Sequence, residues 1–438
     1  MKLLEFKISG LYGYIDKRIK FHHDLSLLVG INGSGKTSVL RLLDWMLRPS
    51  LPELCATELA EVSLTLSRDG GEYELRFVKT DTQAKYFVSR KDRESDRFQP
   101  LEIGLTFPVK TFGAHPELRE PFLQQYSGLT PTPKEFKTWR FLNGLPKPVL
   151  LGLERTQARD RRETQARREP HKSSMDEVKN LANASYSVYR SRIIELNNQL
   201  KDKIMLSAFD AGVFRRDVRR QDGLAPVELP KIQQWRERVV RYISQGPESQ
   251  TRSSKALLGA TRRYFDNLVS LVTKKRKSLH LGLLSWEFQK LQRLIVHLED
   301  FERQSEEAYA GVKGYLGRLN GFFKDSSKEV LFNDSVNQIC FRVLNKHDEP
   351  IGGLRDVDFL SSGEQQLLIL FTFIKFSPGR VFVIDEPELS LHPKWQHHFL
   401  DAVRGLMPPG TQLILATHSP SIVGRSTGCC IPLLPYNE

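Results

Sequence analysis

Gly30-Ile31-Asn32-Gly33-Ser34-Gly35-Lys36-Thr37 follows a short apolar run, residues 26–29, and opens a segment with helical spacing. In that segment, residues 37–47, Leu40, Leu43 and Leu47 share one face, and Pro49 marks its end. A strand, a glycine-rich turn and a helix start in this order form a P-loop. Its glycines let the backbone curl so that successive N–H groups face phosphates, and the helix N-terminus adds partial positive charge. The spacing predicts that Gly30, Asn32, Gly33, Ser34, Gly35, Lys36, Thr37 and Ser38 hold a nucleoside triphosphate, taken as ATP. Lys36 is expected at the β/γ-phosphates and Thr37 on a Mg2+ ion.

More than three hundred residues later stands Val381-Phe382-Val383-Ile384-Asp385-Glu386. An unbroken apolar run of this kind predicts a parallel strand buried on both faces. Asp385 then emerges at its carboxyl end, where α/β sheets bind ligands. Two adjacent acids at a buried strand tip are costly without a cation, so a metal is implied. Asp385 suits Mg2+, directly or through water, and Glu386 suits a general base acting on water. Leu360-Ser361-Ser362-Gly363-Glu364 precedes this strand. Ser361 and Glu364 have capping-box spacing ahead of an apolar helix, residues 366–376. A serine and a glycine at a helix N-terminus can equally contact a γ-phosphate. Residues 412–416 read as another buried strand, ending at Thr417-His418-Ser419-Pro420, which makes His418 a candidate γ-phosphate sensor.

Around these motifs the 438 residues are 39% hydrophobic and 27% charged, the composition of an ordinary globular chain. No apolar run approaches the ~20 residues of a membrane helix. Four cysteines, Cys55, Cys340, Cys429 and Cys430, show no zinc spacing, and the expectation is a cytoplasmic protein. Val62, Leu64 and Leu66, then Asp69-Gly70-Gly71, then Tyr73, Leu75 and Phe77 predict a β-hairpin in an antiparallel section. A proline-rich connection follows, with Pro116, Pro121, Pro131 and Pro133, and Pro148-Val149-Leu150-Leu151 reads as a further buried strand.

The net charge of +13 is unevenly placed. Residues 155–329 hold 35 Lys and Arg against 22 Asp and Glu, whereas the rest of the chain balances at 30 of each. Residues 159–172 are dense in arginine, and Lys274-Lys275-Arg276-Lys277 lies between helical segments. Ile193, Leu196, Leu200 and Ile204 have helical spacing, as do Phe288, Leu291, Ile295 and Leu298. The interval therefore reads as a compact bundle of helices too short for long coiled-coil arms. Its charge points to a polyanion, DNA or RNA, or to an acidic protein. Strand character is expected again over residues 336–344.

The four motifs, in this order, resemble the Walker A, signature, Walker B and switch histidine of ABC-type ATPases of the RecF, SMC and OLD group. Asp385-Glu386-Pro387-Glu388-Leu389-Ser390-Leu391-His392-Pro393 is similar to the stand-alone branch that includes OLD-type and Septu-type defence ATPases. The resemblance implies an α/β head with a mixed or parallel sheet core and an antiparallel β section, split by a mainly helical insertion. On that basis residues 1–157 and 335–438 are expected to form the head and residues 158–334 the insertion. It further implies a head-to-tail homodimer or larger assembly. Lys36, Thr37, Asp385, Glu386 and His418 would act from one protomer, and Ser361 and Gly363 from the other. It also places a D-loop at Ser390-Leu391-His392, and Gln157 as a Q-loop ligand to the metal.

The leading expectation is a defence ATPase that senses infection and controls a separate effector, a nuclease or toxin. With 20 residues after His418, the nuclease domain of OLD proteins is not expected on this chain. No His-Asn-His pattern is found; His22-His23 and His397-His398 sit in head elements. The alternative is a RecF-like DNA-binding ATPase of repair. A transporter motor shares the head motifs but does not account for the basic helical insertion.

Overall fold

The computed structural model describes residues 1–92, 98–106, 118–152, 174–209, 229–245, 252–273, 279–377 and 379–434. They form two compact units, Met1–Ser185 with Gly314–Glu438, and Tyr186–Lys313. The strands in chain order are β1 (Lys2–Leu11), β2 (Ile15–Lys20), β3 (Leu25–Val29), β4 (Glu61–Arg68), β5 (Gly71–Lys79), β6 (Gln83–Arg90) and β7 (Leu101–Gly104). After them come β8 (Val149–Leu151), β9 (Lys328–Asn333), β10 (Gln338–Leu344), β11 (Pro350–Asp356), β12 (Val381–Asp385), β13 (Gln412–Thr417) and β14 (Cys430–Pro432). The helices are α1 (Lys36–Leu47), α2 (Leu51–Ala56), α3 (Arg119–Ser127), α4 (Phe136–Asn143), α5 (Ser174–Phe209) and α6 (Leu229–Gln245). The remainder are α7 (Arg252–Thr273), α8 (Leu279–Phe323), α9 (Ser362–Phe376), α10 (Pro393–Leu406) and α11 (Pro420–Val423).

The first unit is α/β. Its central sheet has the order β14-β3-β13-β12-β8, and every pairing is parallel. β12 and β13 are buried along their whole length, as apolar runs covered on both faces must be. Their register sets Asp385 opposite Ala416 and thereby brings the acidic strand end level with the segment leading to His418.

A second, antiparallel sheet has the order β2-β1-β4-β5-β6-β7. Asp69 and Gly70 both take positive φ, 49° and 77°, between Arg68 and Gly71, which pair. Two left-handed residues match the twist of the flanking strands, so Asp-Gly closes the β4–β5 hairpin. α1 joins the two sheets: its Val39, Leu40, Leu43, Met46 and Leu47 share one apolar core with Phe6, Leu64 and Phe77 of the antiparallel sheet and Val383 and Ile414 of the parallel one.

Polar contacts add to this join. The fully buried Gln412 accepts from the Leu3 amide at 2.8 Å and donates to the carbonyls of Leu3 at 2.9 Å and His22 at 3.0 Å. At the other end of the parallel sheet β14 pairs with β3, and the Leu433 amide donates to Val29 O at 2.7 Å.

A third sheet, β11-β10-β9, precedes α9. Strand structure thus resumes at Lys328, earlier than the alternation over residues 336–344 predicts. Two helices, α3 and α4, also occupy the connection read as merely proline-rich. Pro121 is tolerated because it falls in the first turn of α3, where no intrahelical N–H bond is lost. α9 opens on the predicted capping box: Ser361 caps it, and the Glu364 carboxylate accepts from the Ser361 amide at 2.8 Å. Glu364 is almost wholly buried and is also held by Lys328 Nζ at 2.8 Å and Ser326 Oγ at 2.6 Å.

In the second unit α5, α6, α7 and α8 each supply residues to one core of Leu200, Ile232, Trp235, Phe265, Leu268, Leu291, Ile295 and Leu298. Of the periodic residues read from the sequence, Leu200, Leu291, Ile295 and Leu298 belong to this core and Ile204 packs against it, whereas Ile193 and Leu196 are not part of it. However, α5 and α8 run for 36 and 45 residues, longer than the compact bundle expected from the sequence. Neither the arginine-dense residues 159–172 nor Lys274-Lys275-Arg276-Lys277 falls within the described residues.

Replacing Gln412 with Leu strands the Leu3 amide and carbonyl in the core. The expected loss is about 3 kcal/mol of unfolding free energy, measured by urea titration. Burial alone would raise the Glu364 carboxyl, but Lys328, Ser326 and Ser361 outweigh it and hold it below its ordinary 4.5. A carboxyl so held stabilises the folded chain above its unfolded value and loses that contribution as pH falls through its folded value. Glu364→Gln should therefore lower Tm at neutral pH, with the gap to the unaltered chain closing below about pH 4.5.

Candidate functional site

The P-loop leaves β3 at Val29 and enters α1 at Lys36. Gly33 and Gly35 hold φ at 84° and 86°, a left-handed conformation that a side chain resists. Gly30 is required for a different reason. A Cβ there would lie 2.5 Å from the Leu433 carbonyl and 2.6 Å from Ser34 Oγ, so the loop is packed directly against the segment after β14. Lys36 folds back over the loop, its Nζ donating to the carbonyls of Gly30 at 2.9 Å and Ile31 at 3.1 Å. These bonds hold the ammonium over the turn whose amides would face phosphates.

Asp385 closes the same site from β12. Its Oδ2 accepts from Thr37 Oγ1 at 2.8 Å. Its Oδ1 is buried without a partner, and so is Ser34 Oγ. Burial raises the Asp385 carboxyl above its ordinary value; the Thr37 bond opposes this, and the neighbouring Glu386 adds to it. An orphaned carboxylate oxygen beside a threonine hydroxyl is an incomplete set of hard oxygen donors. That set fits Mg2+, which takes one or two protein oxygens and completes its shell with water and phosphate. Among the described residues no group of three or more His, Cys, Asp or Glu side chains could hold a metal unaided.

Glu386 takes φ 46°, rare for a residue with a side chain and costly by about 1–3 kcal/mol. The chain reverses there into a 3-10 turn, Pro387–Ser390, while the Glu386 amide donates to Ala416 O at 2.9 Å. Its Oε1 lies 3.8 Å from His418 Nδ1. Glu388 is the more intimate partner of that histidine. Its buried Oε1 accepts from the His418 amide and from Thr417 Oγ1, both at 2.8 Å, and lies 3.1 Å from His418 Nδ1. The sequence reading assigned Glu388 no role. Its spacing from His418 is meaningful only once β12 and β13 are adjacent.

One cavity of about 500 Å³ collects Asn32, Gly33, Gly35, Lys36, Thr37, Ser38, Glu386 and His418. Tyr12 and Tyr14, also missed from the sequence, line it from the β1–β2 turn. Tyr14 is 64% exposed, an aromatic face turned to solvent beside the P-loop. The signal that could have found them is Gly10-Leu11-Tyr12-Gly13-Tyr14, a glycine-bracketed turn with two aromatics and Tyr12 at φ 54°.

Ser361 and Gly363 are not brought to this cavity. They line another, of about 660 Å³, with Glu364, Leu391, His392 and Trp395. Of the D-loop residues, Leu391 is buried, and His392 caps α10 by accepting from the Lys394 amide at 3.3 Å. Gln157 lies outside the described residues. Among those residues no helix is long and apolar enough to cross a membrane.

Residues 1–216 match a family described as an AAA ATPase domain. Residues 236–424 match an AAA domain family described as a candidate AbiEii toxin of a type IV toxin–antitoxin system. No curated protein sequence matches the chain. Among solved structures, the Smc head domain with an extended coiled coil bound to the C-terminal domain of ScpA, from Pyrococcus furiosus, is 13% identical. That alignment covers 96% of this chain and 91% of that one, at a TM-score of 0.37. A second Smc head, bound to the C-winged helix domain of ScpA, is 11% identical with the same coverage and TM-score. At that level the two likenesses bear on neither fold nor function. The first AAA-type match carries the P-loop and the second carries Asp385, Glu386 and His418; the fold brings Lys36, Thr37, Glu386 and His418 to one cavity, with Asp385 bonded to Thr37, so the two matched segments build one P-loop nucleotide site.

Proposed function

We propose that this chain is the Mg2+-dependent ATPase subunit of an anti-phage defence system, working as a head-to-tail pair or larger assembly that controls a separate nuclease or toxin. The observation that carries the ATPase chemistry is the Thr37–Asp385 contact, with Asp385 Oδ1 left over, where Thr37 lines the same cavity as Lys36, Glu386 and His418. The glycine turn donates amides to the phosphates, and Lys36 exchanges its bonds to Gly30 and Ile31 for bonds to phosphate oxygen. Thr37 and Asp385 would hold Mg2+, which would supply charge compensation to the nucleotide's phosphates. Glu386 accepts the proton of the attacking water, and its left-handed backbone aims the side chain into the cavity. His418, held through its amide by Glu388, donates to the γ-phosphate. Tyr12 and Tyr14 offer aromatic faces to the base.

Two features support an ABC/SMC-like pairing. Ser361 and Gly363 face a cavity that lacks the P-loop, so their phosphate-binding geometry is complete only against a second copy. Around these surfaces Phe359, Leu389 and Ile31 are large apolar side chains with more than half their surface exposed. The defence setting is supported by the toxin–antitoxin description of the family matched by residues 236–424 and by the resemblance of residues 385–393 to OLD-type and Septu-type ATPases. Control of an effector on another polypeptide extends that reading.

A second reading, a RecF-like ATPase that binds DNA during repair, is favoured by one observation: the 13 excess positive charges all fall in residues 155–329. It requires DNA affinity that falls steeply with salt, and a shallower salt slope once Lys274, Lys275, Arg276 and Lys277 are neutralised.

Glu386→Gln should bind ATP normally and hydrolyse it at least about 100-fold more slowly in steady-state assays; unchanged turnover overturns its role as base. Asp385→Asn should lose most of the Mg2+-dependent gain in ATP affinity, read by titrating nucleotide with and without the metal. Tagged protein expressed from its native locus should retain a neighbour-encoded protein on purification, and failure to do so counts against effector control.

A further inference from the structure

The signature cavity has a wall that none of the motifs explains. Between the end of α8 and the start of β9 the chain makes a 3-10 turn, Lys324–Ser326, followed by Ser327 at φ 52°. Three side chains of this turn and its exit, from Asp325, Ser326 and Lys328, reach two different elements. Ser326 Oγ donates to Glu364 Oε1 at 2.6 Å, and Lys328 Nζ donates to Glu364 Oε1 at 3.0 Å and Oε2 at 2.8 Å. Glu364 in turn holds the Ser361 amide. On the other side Asp325 Oδ1 accepts from Lys394 Nζ at 2.6 Å and Oδ2 accepts from Trp395 Nε1 at 3.0 Å. Lys394 and Trp395 form the first turn of α10, directly after the His392 cap.

These contacts are costly to break. Glu364 is 2% exposed, and its counter-charge is the Lys328 ammonium. A buried carboxylate stripped of that partner must either protonate or pull away, and Glu364 is the residue that shapes the N-terminus of α9. Asp325 spends both carboxylate oxygens on α10. The turn therefore locks the serine end of α9 and the histidine end of α10 to one support, across the cavity lined by Ser361, Gly363 and His392.

We propose that the turn is a positioning element of the composite ATPase site: Lys328, through Glu364, and Asp325, through Lys394 and Trp395, hold Ser361, Gly363 and His392 as one rigid set for presentation to the nucleotide on a partner copy. The inference rests on the head-to-tail reading proposed above. Both residues act in trans, on the neighbour's ATP, although they lie in neither the P-loop nor the signature. Neither touches the cavity that holds the chain's own P-loop.

The test uses the full chain with Lys328→Met, Lys328→Arg and Asp325→Asn. Binding of a fluorescent ATP analogue to Lys328→Met and Asp325→Asn should stay within about twofold of the unaltered protein, while kcat falls about tenfold or more. Lys328→Arg, which keeps the charge, should retain most of the activity. Mixing then separates a trans role from a general defect. Lys36→Ala lacks a working P-loop but keeps its signature, so adding it to Lys328→Met should raise turnover well above the sum of the two alone. The pair Lys36→Ala with Ser361→Arg is the control for the composite site itself.

If the control pair recovers activity and the Lys328→Met pair does not, the positioning role is wrong and the head-to-tail reading stands. If neither recovers, the head-to-tail reading fails and this inference with it. Unchanged kcat in both Lys328→Met and Asp325→Asn also overturns the proposal. Asp325→Asn, nearly isosteric, carries the same mixing test should Lys328→Met not fold.

Discussion

One hydrogen bond organises the first unit. Thr37 and Asp385 lie 348 residues apart, yet their side chains meet at 2.8 Å. The contact demands that the helix start after β3 and the end of β12 be level, and this in turn requires β13 to run between them in parallel register. A buried acid with one unsatisfied oxygen is tolerated only where something gains from it. Here the unsatisfied oxygen is the donor that a bound cation would use. The surrounding structure supplies the rigidity: β12 and β13 are dry throughout, α1 is packed into the core shared by two sheets, and Gln412 ties the parallel sheet to β1.

The acids around His418 divide their labour by environment. Glu388 is buried and spends one oxygen on the Thr417 hydroxyl and the His418 amide, which makes it part of the scaffold. Glu386 is more open, sits on a strained backbone and lines the cavity. Two carboxylates two residues apart can thus differ in task because the 3-10 turn between them sends one inward and leaves the other at the surface of the site. The same economy recurs at α9, where Glu364 is at once a helix cap and the anchor of an ion pair.

Much of this was legible in the sequence because it is local. A glycine turn between an apolar run and a helix, Asp-Gly between alternating strands, and Ser361 with Glu364 three residues on each specify their own geometry. So do Leu200, Leu291, Ile295 and Leu298, whose spacing places them in the helical core. What escaped is what depends on chain segments meeting. Glu388 means little until Thr417 and His418 lie beside it. Tyr12 and Tyr14 read as turn aromatics until β1 and β2 bring them to the P-loop. Lys328 is one basic residue among many until it is found on a buried carboxylate. Two helices, α3 and α4, were hidden because prolines signal breaks more loudly than short helices signal themselves. The lengths of α5 and α8 were hidden because periodic apolar positions mark only the part of a helix that packs.

The close approach of Gly30 to the Leu433 carbonyl has a consequence for how the protein is made. The P-loop is made before the strands it leans on, since β3 finds its two neighbours in β13 and β14. Domains usually fold from the N-terminus during synthesis. This one must hold its nucleotide loop unfinished, with β3 lacking both pairing edges, until translation has passed residue 433. The antiparallel sheet, built almost entirely from residues 2–104, can form meanwhile and shelter α1. A chain stopped before β13 would carry the glycine-rich turn without the strands that hold β3 and the loop in place.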